Sequence, residues 1–95
     1  MVVTAGPAVG VSFALTGDSA RAGRDSGNDI VIRDPTISRN HARFDRRGLG
    51  WTVTDLGSLN GTSVNGRRIQ PNSETPLPPR ATVQLGDVIL SFETP

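Results

Sequence analysis

Glycine and proline interrupt this chain of 95 residues almost everywhere. The eleven Gly and seven Pro leave no uninterrupted stretch longer than residues 36–47. Even there the apolar side chains Ile37, Ala42 and Phe44 do not recur at the spacing of one helix face. Because Gly and Pro both disfavour helix interiors, we predict a fold without a long helix.

Short runs between these breaks alternate apolar and polar residues, so every second side chain can face a core, as in half-buried strands. Turn-forming residues recur about every ten residues, a spacing typical of antiparallel sandwiches. The sequence therefore predicts an all-β fold, an antiparallel β-sandwich of two sheets, formed as one domain over residues 1–95. The predicted strands include Val11–Leu15, Asp29–Arg33, His41–Asp45, Trp51–Asp55 and Val88–Phe92.

The segment Pro71–Pro79 contains four of the seven prolines. We predict that it is a stiff surface loop between two strands. Its last residues, Pro76–Pro79, also match the PxxP pattern of SH3-domain ligands, but such matches are common by chance.

The basic side chains are all arginine: ten Arg and no Lys give a formal net charge of only +1. This small charge argues against nucleic-acid binding through bulk charge. The lack of lysine excludes a P-loop lysine, a Schiff-base lysine and a catalytic lysine base among these residues. Arginine is suited to forked recognition of phosphate or carboxylate.

Cysteine is absent, and no apolar run approaches the length of a membrane helix. Disulfides and cysteine-based metal sites are therefore excluded, and the first residues lack the basic-then-apolar layout of a signal peptide. We expect a cytoplasmic domain with no cofactor, no metal and no membrane partner.

The sequence offers little support for catalysis. Ser38 and His41 could contribute to a hydrolase site, but the G-x-S-x-G pattern of a nucleophile elbow is missing, and Ser38 lies only three residues before His41, in an expected loop. One His without Cys is a poor metal site. Asn60–Thr62 fits the glycosylation sequon, which has meaning only in an exported protein. We predict a non-catalytic protein.

Three strand-end loops carry Arg, Ser and Asn side chains. A guanidinium fork, a hydroxyl, an amide and free backbone N–H groups together suit an oxyanion. The same residue types are ordinary turn formers, so composition and spacing leave both interpretations open. The residues are Arg24, then Ser38, Arg39 and Asn40, then Ser58 and Asn60.

The order and spacing of several motifs strongly resemble a forkhead-associated (FHA) domain, from about Gly17 to Phe92. The resemblance implies a β-sandwich of about eleven short strands, with loops at one end that bind phosphothreonine peptides. The motifs are Gly23-Arg24, Ser38-Arg39-Asn40-His41, Asp55-Leu56-Gly57-Ser58-Leu59-Asn60-Gly61-Thr62, Val64-Asn65-Gly66 and Leu85-Gly86-Asp87-Val88.

The resemblance also implies a role for each matching position. Arg24 is expected to hold the phosphate and Ser38 to donate its hydroxyl to it. Arg39 is expected to add a backbone N–H at the phosphate edge, with or without its side chain. Asn60 is expected to hydrogen-bond the peptide main chain beside the phosphothreonine. Support of the loops is expected from Gly23, His41, Ser58 and Gly61, where the two glycines let the backbone pass closely.

Leu59, at the expected rim of the pocket, departs from the familiar form Ser-Thr-Asn-Gly, in which the Thr hydroxyl also contacts phosphate. A hydrogen bond to a charged group contributes about 1.5–3 kcal/mol, so we expect weaker phosphate binding unless Arg39 or water compensates. Ser-Leu-Asn-Gly does occur within the family. The resemblance therefore implies modulated affinity rather than loss of function.

Asn-Gly, the strongest short signal for a tight hairpin turn, occurs twice, at Asn60-Gly61 and Asn65-Gly66. Both pairs cannot turn hairpins, because only residues 62–64 lie between them. We assign the second pair to a hairpin joining Thr62–Val64 to Arg67–Ile69, and the first to the ligand-binding loop.

The sequence thus predicts a phosphothreonine-dependent interaction module in Ser/Thr kinase signalling, monomeric as an isolated domain, whose partner is a Thr-phosphorylated protein or peptide. Two alternatives stay open: a sandwich scaffold with a degenerate pocket, and a sandwich that binds nucleic acid. The latter would use a basic face formed by Arg21, Arg43, Arg46, Arg47, Arg67 and Arg68.

Overall fold

The computed structural model describes residues 2–5, 12–14 and 17–93. Within these ranges the regular secondary structure consists of short strands that form two sheets, which confirms the predicted β-sandwich. None of these residues belongs to a helix long and apolar enough to cross a bilayer. The strands are β1 (Val2–Ala5), β2 (Ser12–Ala14), β3 (Ser19–Gly23), β4 (Ile30–Val31), β5 (Ala42–Arg47), β6 (Gly50–Asp55), β7 (Thr62–Val64), β8 (Arg67–Arg68), β9 (Thr75–Leu77), β10 (Arg80–Leu85) and β11 (Val88–Glu93).

One sheet has the strand order β2-β1-β11-β10-β7-β8 and the other the order β4-β3-β5-β6-β9. Neighbouring strands are antiparallel except β3 and β4, which run parallel and so differ from the predicted antiparallel arrangement. Parallel pairs usually need a long crossover. Here a short connection suffices because only two residues of each strand pair, Ala22 with Ile30 and Gly23 with Val31.

The core lies between the two sheets and contains side chains from both. Phe44 of β5 and Phe92 of β11 pack with ring centroids 4.6 Å apart. Both rings are almost fully buried, which stabilises the sandwich by about 1.5–3 kcal/mol per side chain. Strand β11 alternates buried and exposed residues as predicted. Strand β6 does not: it is buried from Trp51 to Asp55.

Two of the predicted strands are shorter in the structure. The run Asp29–Arg33 contributes only Ile30–Val31 to a strand, because the chain then bends through a turn centred on residues 35–37. The run Val11–Leu15 contributes Ser12–Ala14, and its first and last residues lie outside the described residues.

The prediction that Pro71–Pro79 is only a loop was wrong. Residues Thr75–Leu77 form β9, which pairs with β6, and Leu77 is buried in the core. Proline was the misleading signal. Pro76 cannot donate a backbone hydrogen bond, but β9 is the outermost strand of its sheet, where one missing donor is tolerated.

The hairpin prediction at Asn65-Gly66 is confirmed. Strands β7 and β8 are antiparallel neighbours joined by these two residues. Their φ angles are 49° and 82°, which matches the two positive φ values of a type I′ turn.

The end of β3 passes very close to the loop after β4. The Arg24 N–H donates to the Ser38 carbonyl over 3.0 Å, and the Asp25 N–H donates to the Arg39 carbonyl over 3.2 Å. A Cβ atom on Gly23 would overlap the Arg39 carbonyl group and approach the Asn28 side chain. The absence of a side chain at Gly23 therefore allows these two loops to meet.

We predict that Gly23→Ala destabilises the fold by about 1–3 kcal/mol, because the added methyl group must push the two loops apart. Gly27→Ala is the matched control in the same connection, since a Cβ at Gly27 meets nothing within 4 Å. The control should change the unfolding free energy by about 0.5 kcal/mol or less. Urea unfolding of the three proteins tests this, and equal stabilities for the two variants would contradict it.

Candidate functional site

The loops after β3, β4 and β6 meet at one end of the sandwich. The Leu59 N–H donates to Ser38 Oγ over 3.1 Å, and Asn60 Nδ2 donates to the Thr36 carbonyl over 2.8 Å. Arg24 reaches the same loop through its backbone bond to Ser38. The structure therefore brings together the loop residues that the sequence assigned to one site.

Arg24 is exposed and uses only one edge of its guanidinium within the domain. Its Nε donates to the Ile37 carbonyl over 3.1 Å. Neither Nη group donates to an acceptor among residues 17–93. The single bond constrains the direction of the fork and leaves the paired Nη donors free for a ligand.

Ser38 and Arg39 add donors beside Arg24. The half-buried Ser38 hydroxyl oxygen accepts the Leu59 N–H, so its own proton is still available for donation. The Arg39 carbonyl accepts from the Asp25 N–H and from Asn28 Nδ2, the latter over 2.7 Å. The Arg39 side chain is exposed. The backbone N–H of Arg39 meets no acceptor in the described part of the chain.

Leu59 and Asn60 are exposed residues of the loop after β6, next to Ser38. The bond to Thr36 uses one N–H of the Asn60 amide and leaves the other N–H and the amide oxygen for a ligand. The Leu59 side chain is 86% exposed. It therefore contributes almost no packing to the loop after β6.

Thr36 joins two of these loops to the β10–β11 turn and was not among the predicted site residues. Its hydroxyl donates to Asp34 Oδ1 over 2.5 Å and accepts the Asp87 N–H over 2.9 Å. A Cβ atom on Gly86 would overlap the Thr36 carbonyl. The available signal was the segment Asp34-Pro-Thr36, since Asp commonly bonds the backbone two residues on, as it does here.

His41 is fully buried and connects the loop after β4 to the loop after β6. Its Nδ1 accepts the Ser38 N–H over 3.1 Å, and its Nε2 donates to the Gly61 carbonyl over 2.9 Å. This pattern requires the neutral ring with the proton on Nε2. His41 thus contacts the backbone of Ser38 and not its hydroxyl.

Asp55, at the end of β6, organises the loop that contains Leu59 and Asn60. Its Oδ1 accepts the hydroxyls of Ser58 and Thr62, and its Oδ2 accepts the N–H groups of Gly57 and Ser58. Burial raises the pKa of Asp55, but these hydrogen bonds outweigh burial and hold the pKa below its usual value. Ser58 Oγ in turn accepts the Gly61 N–H over 3.0 Å.

Gly61 has a positive φ of 84°, a conformation that side chains rarely adopt. A Cβ atom there would overlap the Arg68 guanidinium. The residue lies where the chain turns from the loop after β6 into β7.

Two further polar residues near Arg39 were not predicted. Asn28 is buried and donates to the carbonyls of Asp25 and Arg39, so it holds the connection after β3 against the loop after β4. Arg33 lines the same depression as Arg24 and Arg39. No local pattern marks either residue, because each depends on contacts between separate loops. Among the described residues no cluster of His and acidic side chains could hold a metal ion.

We predict that acidification destabilises the domain through His41. Burial lowers the pKa of His41 below 6.5 and outweighs the Gly61 carbonyl and the Asp55 charge, which raise it. The unfolded chain then binds a proton more readily than the folded one. The unfolding free energy should fall as the pH drops below about 6.5, by up to about 1.4 kcal/mol per pH unit, until the folded-state pKa is passed.

His41 is the only histidine in the sequence, so its ring can be titrated directly by NMR while urea unfolding is measured across the same pH range. A ring pKa at or above 6.5 in the folded domain would contradict the prediction.

Comparison with known proteins matches residues 20–86 to the FHA domain family. The oxoglutarate dehydrogenase inhibitor of Corynebacterium jeikeium is 40% identical over 92 residues, which are 97% of this chain and 62% of that protein. The glycogen accumulation regulator GarA of Mycolicibacterium smegmatis is 40% identical over 94 residues, which are 99% of this chain and 58% of that protein. The chain therefore spans about three fifths of the length of these relatives.

A solved structure from a structural and functional analysis of phosphothreonine-dependent FHA domain interactions has the same fold. It superposes with a TM-score of 0.87 over 99% of this chain and 96% of that chain, at 25% identity. The motifs, the sandwich topology, the family match over most of the chain and the sequence identity agree: the chain belongs to the FHA domain family.

Proposed function

We propose that this domain binds phosphothreonine in partner proteins, in cytoplasmic signalling by Ser/Thr kinases, without catalysing a reaction. One observation carries the proposal: the unpaired donors of Arg24, Ser38 and Arg39 lie on adjacent loops next to Asn60. A phosphate adds about two negative charges and three strong acceptors, which plain threonine lacks. These donors suit such a group.

In the proposed complex, the Arg24 fork and the Ser38 hydroxyl bind phosphate oxygens, and the Arg39 N–H binds at the edge. The free N–H and oxygen of the Asn60 amide bind the peptide main chain and so fix its register. Similarity to the structure from the study of phosphothreonine-dependent FHA interactions supports the ligand class. Relatives named as an inhibitor and a regulator favour a binding role over catalysis.

The alternative of a nucleic-acid-binding face receives less support from the arrangement of charges. Arg43 Nε lies 2.8 Å from Asp45 Oδ2, Arg46 forms an ion pair with Asp18, and Arg47 forms one with Glu74. Three arginines of that face thus have acidic partners. We accordingly propose a monomeric domain with a protein partner.

We predict that Arg24→Ala lowers phosphopeptide affinity by about ten- to a hundredfold, since charge-assisted hydrogen bonds to phosphate are lost. The unfolding free energy should change by about 1 kcal/mol or less, because only the bond to the Ile37 carbonyl is removed. Calorimetric titration with one phosphothreonine peptide and its unphosphorylated form measures the first effect, and urea unfolding the second.

Arg46→Ala is the matched control, because Arg46 is an exposed arginine near the far end of β5, away from the site. Binding that depends on bulk charge would weaken equally in both variants. Equal affinities of wild type and Arg24→Ala would refute the assignment of Arg24. Failure of the wild type to prefer the phosphorylated peptide would favour the scaffold with a degenerate pocket.

Leu59→Thr should strengthen phosphopeptide binding by about 0.5–1.5 kcal/mol, the usual net contribution of one hydrogen bond. The side chain is 86% exposed, so little packing is lost, whereas the new hydroxyl is placed beside Ser38. Affinity for the unphosphorylated peptide should not change.

Leu49→Thr is the control for replacing an exposed leucine by threonine away from the site, because Leu49 is 98% exposed in the β5–β6 hairpin turn. Calorimetric titration of both variants tests the prediction. Weaker phosphopeptide binding by Leu59→Thr would mean that Leu59 packs against the bound peptide.

A further inference from the structure

An open depression of about 290 Å³ adjoins the proposed phosphate site. It is lined by Arg24, Asp25, Ser26, Arg33 and Arg39. Ser38 and Asn60 do not line it, so it extends the site on the side of Arg24 and Arg39. Three arginines and one aspartate give its lining a formal net charge of +2.

The parallel pairing of β3 and β4 brings Arg33 to this depression. Gly23 pairs with Val31, and the Ile32 N–H donates to the Gly23 carbonyl over 3.0 Å. Parallel strands end at the same edge of a sheet. Arg24 and Arg33, which follow the ends of β3 and β4, therefore lie at the same edge of the sheet. Arg39 reaches this edge from near the end of the loop after β4.

None of the three guanidiniums has an acidic partner within the described part of the chain. The ion pairs among residues 17–93 use Arg43, Arg46 and Arg47, and none uses Arg24, Arg33 or Arg39. All three side chains are exposed, and Arg33 forms no side-chain hydrogen bond within the described residues. Like charges gathered around one depression repel each other, so an anion placed between them is stabilised.

One phosphate does not use all of these donors. The proposed phosphothreonine site takes the Arg24 fork, the Ser38 hydroxyl and the Arg39 N–H, which leaves the Arg33 guanidinium and the Arg39 side chain. We propose that Arg33, together with the Arg39 side chain, binds a second anionic group of the same phosphopeptide, either a carboxylate or a second phosphate, and so selects acidic or doubly phosphorylated partners. This inference rests on the proposed function.

The test uses one phosphothreonine peptide with neutral flanking residues and two derived sets. In one set an aspartate, and in the other a phosphoserine, is placed in turn at each flanking position. Wild type, Arg33→Ala and the control Arg46→Ala are titrated with each peptide. We expect the wild type to bind at least one member of either set more tightly than the neutral peptide, with a preference that weakens as salt is added.

Arg33→Ala should abolish that preference and leave the neutral peptide unaffected. The affinity of Arg33→Ala for the peptide with the flanking anion should be about two- to fivefold lower than that of the wild type if the anion is a carboxylate, as for one exposed ion pair. It should be about tenfold lower or more if the anion is a phosphate bound by the guanidinium fork. Tighter binding of a peptide from the aspartate set would indicate a carboxylate as the second group. Tighter binding only in the phosphoserine set would indicate a phosphate.

Two outcomes would overturn the inference while the proposed function stands: no flanking anion improves wild-type binding, or Arg33→Ala and Arg46→Ala reduce the preference equally. If the wild type does not distinguish the neutral phosphopeptide from its unphosphorylated form, the proposed function fails and the inference fails with it.

Discussion

The arrangement of the loops at the candidate site depends on one buried neutral imidazole. His41 has one acceptor and one donor, and each is used by a different loop, through the Ser38 N–H and the Gly61 carbonyl. No water can replace a lost partner easily at a fully buried site, so breaking either bond leaves a polar group unsatisfied. The distance between Ser38 and the loop of Asn60 is therefore set by the width of one ring.

A buried carboxylate completes this support and, among the described residues, is held by hydrogen bonds and not by a cation. Asp55 is satisfied by two hydroxyls and two backbone N–H groups, while His41 Nε2 lies 4.0 Å away and is neutral. Hydrogen bonds from fixed backbone groups hold a charge in one position more rigidly than a flexible side chain could. A site built in this way loses little conformational freedom when a ligand binds, which favours affinity.

Local sequence signals predicted the features that depend on neighbouring residues. Alternation predicted the sandwich, and Asn65-Gly66 predicted its hairpin. Local sequence signals did not predict the features that depend on contacts between residues distant in the chain. Strand β9 forms despite its proline because β6 offers it a sheet edge, and the parallel pair β3–β4, which brings Arg33 beside Arg24, has no signature in either segment. The motifs predicted the loop residues of the candidate site, but not Asn28 and Thr36, which hold those loops together.

The cationic groups at this end of the domain are all guanidinium, and these 95 residues contain no lysine. Guanidinium keeps its proton at any physiological pH, and acetylation and ubiquitination act on lysine. Under the proposed function, the charge of the binding site is therefore constant in the cell. A phosphate monoester, by contrast, loses its second proton near pH 6 and can be added or removed enzymatically. Under that proposal, the presence of the phosphate on the partner decides when the two bind, and the charge of these arginines does not.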